Sequence, residues 1–291
     1  MNSRLLNHYE AVTYSALQEA CLSNGAKAFP KVRVGDVFSL RGSGISSGHY
    51  SYALRAHFDF LVTSADYMPL FSVEFDGPLH KTSAVQQTRD RLKNELCERF
   101  AHGLLRINSN YLSKKFRGLD LLSYFVDAWF LDEAFCKAQE DGFVPYDELF
   151  DMTFIYTNRT DTGKKWPYWL SLDVQLALQE LHKTGKIGQM APSHHVGKDA
   201  QGNYRCLTWL IFDKGHVVYV KTGMRAQLFP AVDKADLISM LAIFDLYEKV
   251  KRVLARAPNL LLERNRFFTE YLPRFEETYE MVSATSCSAT V

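Results

Sequence analysis

Periodicity along the first 118 residues predicts an α/β fold class, and the second half reads as a separate α+β region. Two observations carry this. A helical pattern precedes three β-like runs, and a long amphipathic helix then leads into a short apolar strand. Strand, helix, strand in that order places the last strand beside the runs before it.

Residues 7 to 23 carry Tyr9, Val12, Leu17, Ala20 and Cys21 at roughly helical spacing and stop at Asn24-Gly25, a good C-terminal cap. "KAFPKVRVGDVFSL" alternates Val32, Val34 and Val37 with charge, which predicts a strand. "RGSGISSGHYSYA" is rich in Gly and Ser and reads as a turn or mobile loop. "HFDFLVT" (57 to 63) and "LFSVEFD" (70 to 76), joined by "SADYMP", predict an antiparallel hairpin. Side chains alternate along a strand, so Ser72, Glu74 and Asp76 share one face. Residues 83 to 101 predict a helix with Val85, Leu92, Leu96 and Phe100 on its apolar stripe, and Gln86, Asp90 and Lys93 cluster at the edge of that stripe. "LLRIN" (104 to 108) is the returning strand.

At 291 residues the chain is long enough for two domains, and 47% apolar with 23% charged residues is ordinary for a soluble globular protein. A net charge of +1 excludes nothing about partners until its distribution is read. Residues 81 to 117 hold nine Lys/Arg against three Asp/Glu, whereas residues 119 to 151 hold nine Asp/Glu and one Lys. A neutral total therefore hides a basic and an acidic segment. Five scattered cysteines form no CxxC pair and no zinc spacing, which fits a reducing cytoplasm. The N-terminus carries charges within its apolar pattern and no run reaches the length of a membrane span, so neither a signal peptide nor a membrane segment is expected. The expected division is a compact α/β domain over 1–118, an acidic helical connector over 119–150, an α+β accessory domain over 151–282 and a disordered tail over 283–291.

In the accessory region, "SLDVQLALQELHKTGKIG" predicts a helix capped by Ser171. "YRCLTWLIFDKGHVVYVKTG" predicts two strands around Asp213-Lys214-Gly215, and "KADLISMLAIFDLYEKVKRVLARA" a long amphipathic helix.

The chemistry centres on "SVEFDGPLH" (72 to 80). Carboxylates are seldom buried unpaired and suit strands poorly, so Asp59, Glu74 and Asp76 on one sheet face would repel one another unless a cation joins them. Mg²⁺ (or Mn²⁺) takes oxygen ligands, and Asp59 and Glu74, near the ends of adjacent strands, would supply them.

The run "FDFLV…PLFSVEFDGPLH…QQTRDRLKNELC…GLLRIN" resembles the restriction-endonuclease-like PD-(D/E)xK superfamily, in particular its uncharacterised domain-of-unknown-function branches and very-short-patch-repair-like relatives. The resemblance spans about residues 8 to 112. It implies a mixed central sheet flanked by helices and a metal-dependent endonuclease acting on DNA in repair, restriction or defence against mobile elements and phage. RNA stands as an alternative substrate, and a catalytically inactive nucleic-acid-binding or assembly subunit as an alternative function. Asp59 then corresponds to the first acidic residue and Glu74 to the acid of the ExK motif, but Asp76 stands where the motif has lysine. Lys93, from the following helix, would supply the missing charge, with Asp76 as a third metal ligand or water-orienting group.

His80 would protonate the leaving oxygen, contact phosphate, or simply cap the next helix. Gln87 and Asp90 would orient Lys93 or line the site, and Glu10 or Glu19 on the first helix would add a carboxylate. Arg89, Arg91, Arg106, Lys114 and Lys115 are the candidate phosphate contacts, although Arg89 with Asp90 reads equally as a solvated pair. His194-His195 reads as a solvent-exposed loop pair, "GSGISSG" as a flexible loop, and Trp166, Tyr168 and Trp169 as packing. A homodimer or a partner protein would engage the C-terminal region.

Overall fold

A computed structural model describes residues 5–76, 84–154 and 169–286. The chain forms two compact units, one of Met1–Phe150 with Gln227–Val232 and one of Asp151–Ala226 with Asp233–Val291.

The first unit opens with α1 (His8–Leu22), held at its start by a reciprocal cap: the Glu10 N–H donates to Asn7 Oδ1 and the Asn7 N–H to Glu10 Oε2, both at 2.9 Å. Its buried face is Thr13, Leu17, Ala20 and Cys21, so Tyr9 and Val12, expected inside, are exposed. Four strands follow: β1 (Lys27–Arg33), β2 (His57–Thr63), β3 (Pro69–Phe75) and β4 (Gly103–Ile107), paired in chain order. The first three pair antiparallel, whereas β3 and β4 run parallel from Phe71↔Gly103 to Phe75↔Ile107. Parallel neighbours need a crossover, which is α3 (Ala84–Arg99). The expected α/β class and hairpin are observed.

Three local expectations are corrected. The stretch expected as a loop contains a helix, α2 (Ser47–Ala53), because the Ser46 hydroxyl accepts the His49 N–H and Ala53 is fully buried. On α3 the buried residues are Lys93, Leu96 and Cys97 while Val85 is exposed, so the inward face is turned toward the site lysine. The acidic segment is no connector. As α4 (Leu121–Glu140) it is capped by Asp120, which accepts the Ser123 N–H, and it buries Leu122 and residues 124 to 128 inside the first unit. Phe125 and Trp129 join Phe71 and Phe229 in one aromatic cluster. A Cβ at Gly103 would lie 2.8 Å from the Trp129 ring, so only glycine permits this approach.

Behind β3, the His102 Nε2 lies 2.9 Å from the Ser72 hydroxyl, between the Phe38 and Phe58 rings. Burial holds the imidazole pKa down to about 4. Because the unfolded chain binds this proton more readily, stability is complete above the ordinary value near 6.5 and is lost as pH falls toward about 4. Urea unfolding at stepped pH should show a loss of roughly 3 kcal/mol across that window, and His102→Gln should flatten it.

The second unit contains α5 (Leu172–Lys183), β5 (Ser193–Lys198), β6 (Tyr204–Ile211), β7 (His216–Met224), α6 (Lys234–Leu254), β8 (Leu262–Glu263), α7 (Leu272–Thr278) and β9 (Glu280–Thr285). The sheet is antiparallel, in the order β8-β7-β6-β5-β9. Leu210 and Val218 pack with Leu178, Ile243 and Leu246 from α5 and α6; Trp209 and Val217 pack with Phe267 and Phe275. The unit is thus α+β. Ser171 begins α5 without capping it, its hydroxyl accepting from the Gln175 side chain instead. Residues 283 to 285, expected to be disordered, pair with β5. His194 and His195 lie in β5, not in an exposed loop; His195 is buried against Trp209, with Nδ1 3.0 Å from Glu276 Oε1.

Candidate functional site

The site forms where β2 and β3 part. Their regular pairing ends at Phe60↔Val73, and the next residues beyond that end are Asp59 and Glu74. Side chains take over the backbone donors there: the Asp59 N–H donates to Glu74 Oε1 at 3.2 Å, and the Phe75 N–H to Asp59 Oδ2 at 2.9 Å. Two strand-end N–H groups that would otherwise lose a partner are thus satisfied by the two acids.

A lysine faces each acid. Lys93 Nζ donates to Glu74 Oε1 at 2.7 Å and to the His57 carbonyl at 2.8 Å, and its side chain is only 8% exposed. Lys31 Nζ lies 2.7 Å from Asp59 Oδ1 and 2.8 Å from Glu10 Oε1, so α1, β1 and β2 meet through one ammonium. Glu10 serves twice, since its other oxygen caps α1. Burial raises the Glu74 carboxyl above its ordinary range, and nearby Asp59 adds to this, while Lys93 works against the rise. For Lys31, burial lowers the ammonium pKa, but hydrogen bonds and charge from Asp59 and Glu10 outweigh it and the net shift is upward.

On the far side, β4 brings Arg106 directly opposite Glu74. Its guanidinium lies 3.4 Å from Asp90, 3.7 Å from Asp76 and 2.9 Å from Asn94 Oδ1. Its backbone is clamped by Gln227, which accepts from the Arg106 N–H and donates to the Arg106 carbonyl, both at 2.8 Å.

The fold therefore brings Asp59, Glu74, Lys93 and Glu10 together, with Asp76, Asp90 and Arg106 adjoining. Two expectations change. Asp76 does not close into a three-carboxylate cluster: it follows the end of β3, where its N–H bonds the Ile107 carbonyl and its carboxylate faces Arg106. Among the described residues no group of three or more His, Cys, Asp and Glu is arranged to hold a metal. Arg106, expected to contact phosphate, is 4% exposed and engaged with acids, so it is a structural cation. Arg89 and Arg91 are exposed on α3, Arg91 pairing with Glu95 at 2.7 Å. Lys114 is exposed, and Lys115 pairs with Asp120. Gln87 faces solvent, and it is Gln86 that donates to Asp90, at 3.0 Å. Trp169 is half-buried. His80, Trp166 and Tyr168 lie outside the described residues.

Lys31, Asn94 and Gln227 escaped the sequence reading. The signal for Lys31 was its place in a strand opposite Asp59, which shows only once the β1–β2 pairing Pro30↔Phe60 and Val32↔Phe58 is known. Gln227 joins β4 from far along the chain, with no local pattern to mark it.

Carboxylate oxygens suit a hard divalent cation. Glu74 Oε1 carries both of that side chain's bonds, and Oε2 accepts none among the described residues, which leaves an acceptor beside Asp59. Asp59 and Glu74 are the two carboxylates on which such a cation would draw.

Residues 2–117 match one family. It is described as "Protein of unknown function (DUF2726)", and the match covers the helix, the four strands and all of the site acids. No curated protein and no solved structure matches the chain. Among the described residues, no helix is long and apolar enough to cross a membrane.

Proposed function

We propose that the first unit is a metal-dependent endonuclease that hydrolyses phosphodiester bonds of DNA. The observation that carries this reading is the buried Lys93–Glu74 contact beside Asp59, at the parting of two strands. A lysine from a helix, Lys93, stands in for the motif's strand lysine, whose place Asp76 takes. The order helix, three antiparallel strands, helix, parallel strand also supports a restriction-endonuclease-like core.

In this reading Asp59 and Glu74 hold Mg²⁺. When bound, the ion polarises a phosphoryl oxygen and makes a bound water acidic. Lys93 fixes the rotamer of Glu74 and, with two of its three N–H groups used, offers the third to the negative charge that develops on the phosphoryl oxygens. Arg106 sets the strand that carries Glu74 without touching substrate. Exposed Arg89 and Arg91 follow the phosphate backbone, a contact that weakens as salt rises. The second unit would recognise substrate, a partner or a second copy, in cytoplasmic repair, restriction or defence.

The competing reading is a nuclease-fold binding module, favoured by Asp76 at the motif's lysine position. Purified protein incubated with single-stranded, duplex and mismatched DNA and with RNA, in Mg²⁺ or EDTA, separates the two. Cleavage of DNA in Mg²⁺ alone is expected, lost in Lys93→Met and kept in Asp76→Asn. If Lys93→Met stays active while Asp76→Asn is dead, the assigned roles are reversed; binding with no cleavage in any metal means the binding module.

A further inference from the structure

We infer that Lys31 is a built-in counter-ion of this site, which a divalent cation must displace from Asp59. The inference rests on the nuclease reading and adds a control on its metal loading. Lys31 sits within β1 with φ of 55°, in the left-handed region. Residues with a Cβ adopt that region at a cost of about 1 kcal/mol, and Gly or Asn tolerates it best. A chain needing only a bend here would use one of those. What lysine adds is an ammonium, and it reaches two carboxylates from two different elements: Asp59 of β2 at 2.7 Å and Glu10 of α1 at 2.8 Å.

Lys93 and Lys31 differ in freedom. Lys93 is 8% exposed and also anchored to a backbone carbonyl, whereas the Lys31 side chain is 34% exposed. Lys31 is therefore the cation that can leave. Asp59 sets the competition: its Oδ1 is held by Lys31 and its Oδ2 by the Phe75 N–H, so a metal ion drawing on Oδ1 meets a charged donor already in place. With Lys31 released, the pairing of Asp59 passes to the metal. The ammonium stays tethered by Glu10 at the rim, where it can pair with an incoming phosphodiester. The protein without metal thus keeps its acids paired, and metal entry is a competition between two cations.

The test is calorimetric titration of Mn²⁺ into the full chain and into Lys31→Asn, which keeps a left-handed backbone and removes the charge. Removing the competitor should tighten Mn²⁺ binding about threefold, the scale of one partly exposed ion pair. Lys31→Gly, which relieves the backbone strain altogether, should tighten it equally, and thermal melts confirm that both variants fold. Equal or weaker Mn²⁺ binding by both variants, with the unaltered chain binding normally, overturns the counter-ion role and leaves the nuclease reading standing. No Mn²⁺ binding by any of the three overturns both.

Discussion

Glu74→Leu is expected to destabilise the first unit by about 3–5 kcal/mol, because Lys93 then keeps its charge in a buried place without its carboxylate. The companion Lys93→Met should cost a comparable amount, since it strands Glu74, whose carboxyl burial already raises. The double variant is the informative one. Leucine and methionine fill similar volumes with no charge to desolvate, so Glu74→Leu with Lys93→Met should recover most of the loss. Equilibrium urea unfolding of all four chains gives the coupling directly. Losses that simply add would mean the two side chains are not held as one pair.

Arg106→Met should cost about 3–5 kcal/mol for a parallel reason, as Asp76, Asp90 and the Asn94 oxygen all lose the guanidinium they face. Arg106→Lys should still lose a large part of this, because one ammonium cannot reproduce a planar fork spread over three partners. The same substitutions separate structure from binding. Arg106→Lys should leave the salt dependence of DNA affinity unchanged, whereas Arg89→Ala and Arg91→Ala should each reduce the salt slope by about one. A reduced slope in Arg106→Lys would return it to the phosphate contacts.

Much of the first unit was legible because its signals are local. Period-two alternation marked β2 and β3, and helical spacing marked α1 and α3, so the adjacency of Asp59 and Glu74 followed from the hairpin alone. Lys93 was legible from its position at the edge of a helical stripe. What escaped were consequences of tertiary contact. The loop over residues 41 to 53 reads as Gly and Ser, yet one serine cap and a fully buried Ala53 suffice to make a helix. Acidity made α4 look like a solvated connector, but its aromatic face around Phe125 and Trp129 decides its place. Asp76 lay two residues from Glu74 and so seemed to share its role; the guanidinium that draws it away comes from β4, about thirty residues on. The His194-His195 pair looked like a loop because β5 is short and one of its two partners, β9, lies far along the chain.

The central claim is that Asp59, Glu74 and Lys93 form a metal-dependent hydrolytic site. The most direct measurement is cleavage of end-labelled DNA by the full chain in Mg²⁺ and in EDTA, beside Glu74→Gln, which keeps the side-chain volume and a hydrogen-bond acceptor while removing the charge. Cleavage in Mg²⁺, none in EDTA, and loss of cleavage in a Glu74→Gln chain that still melts as a folded protein is the predicted result; cleavage that survives Glu74→Gln would contradict it.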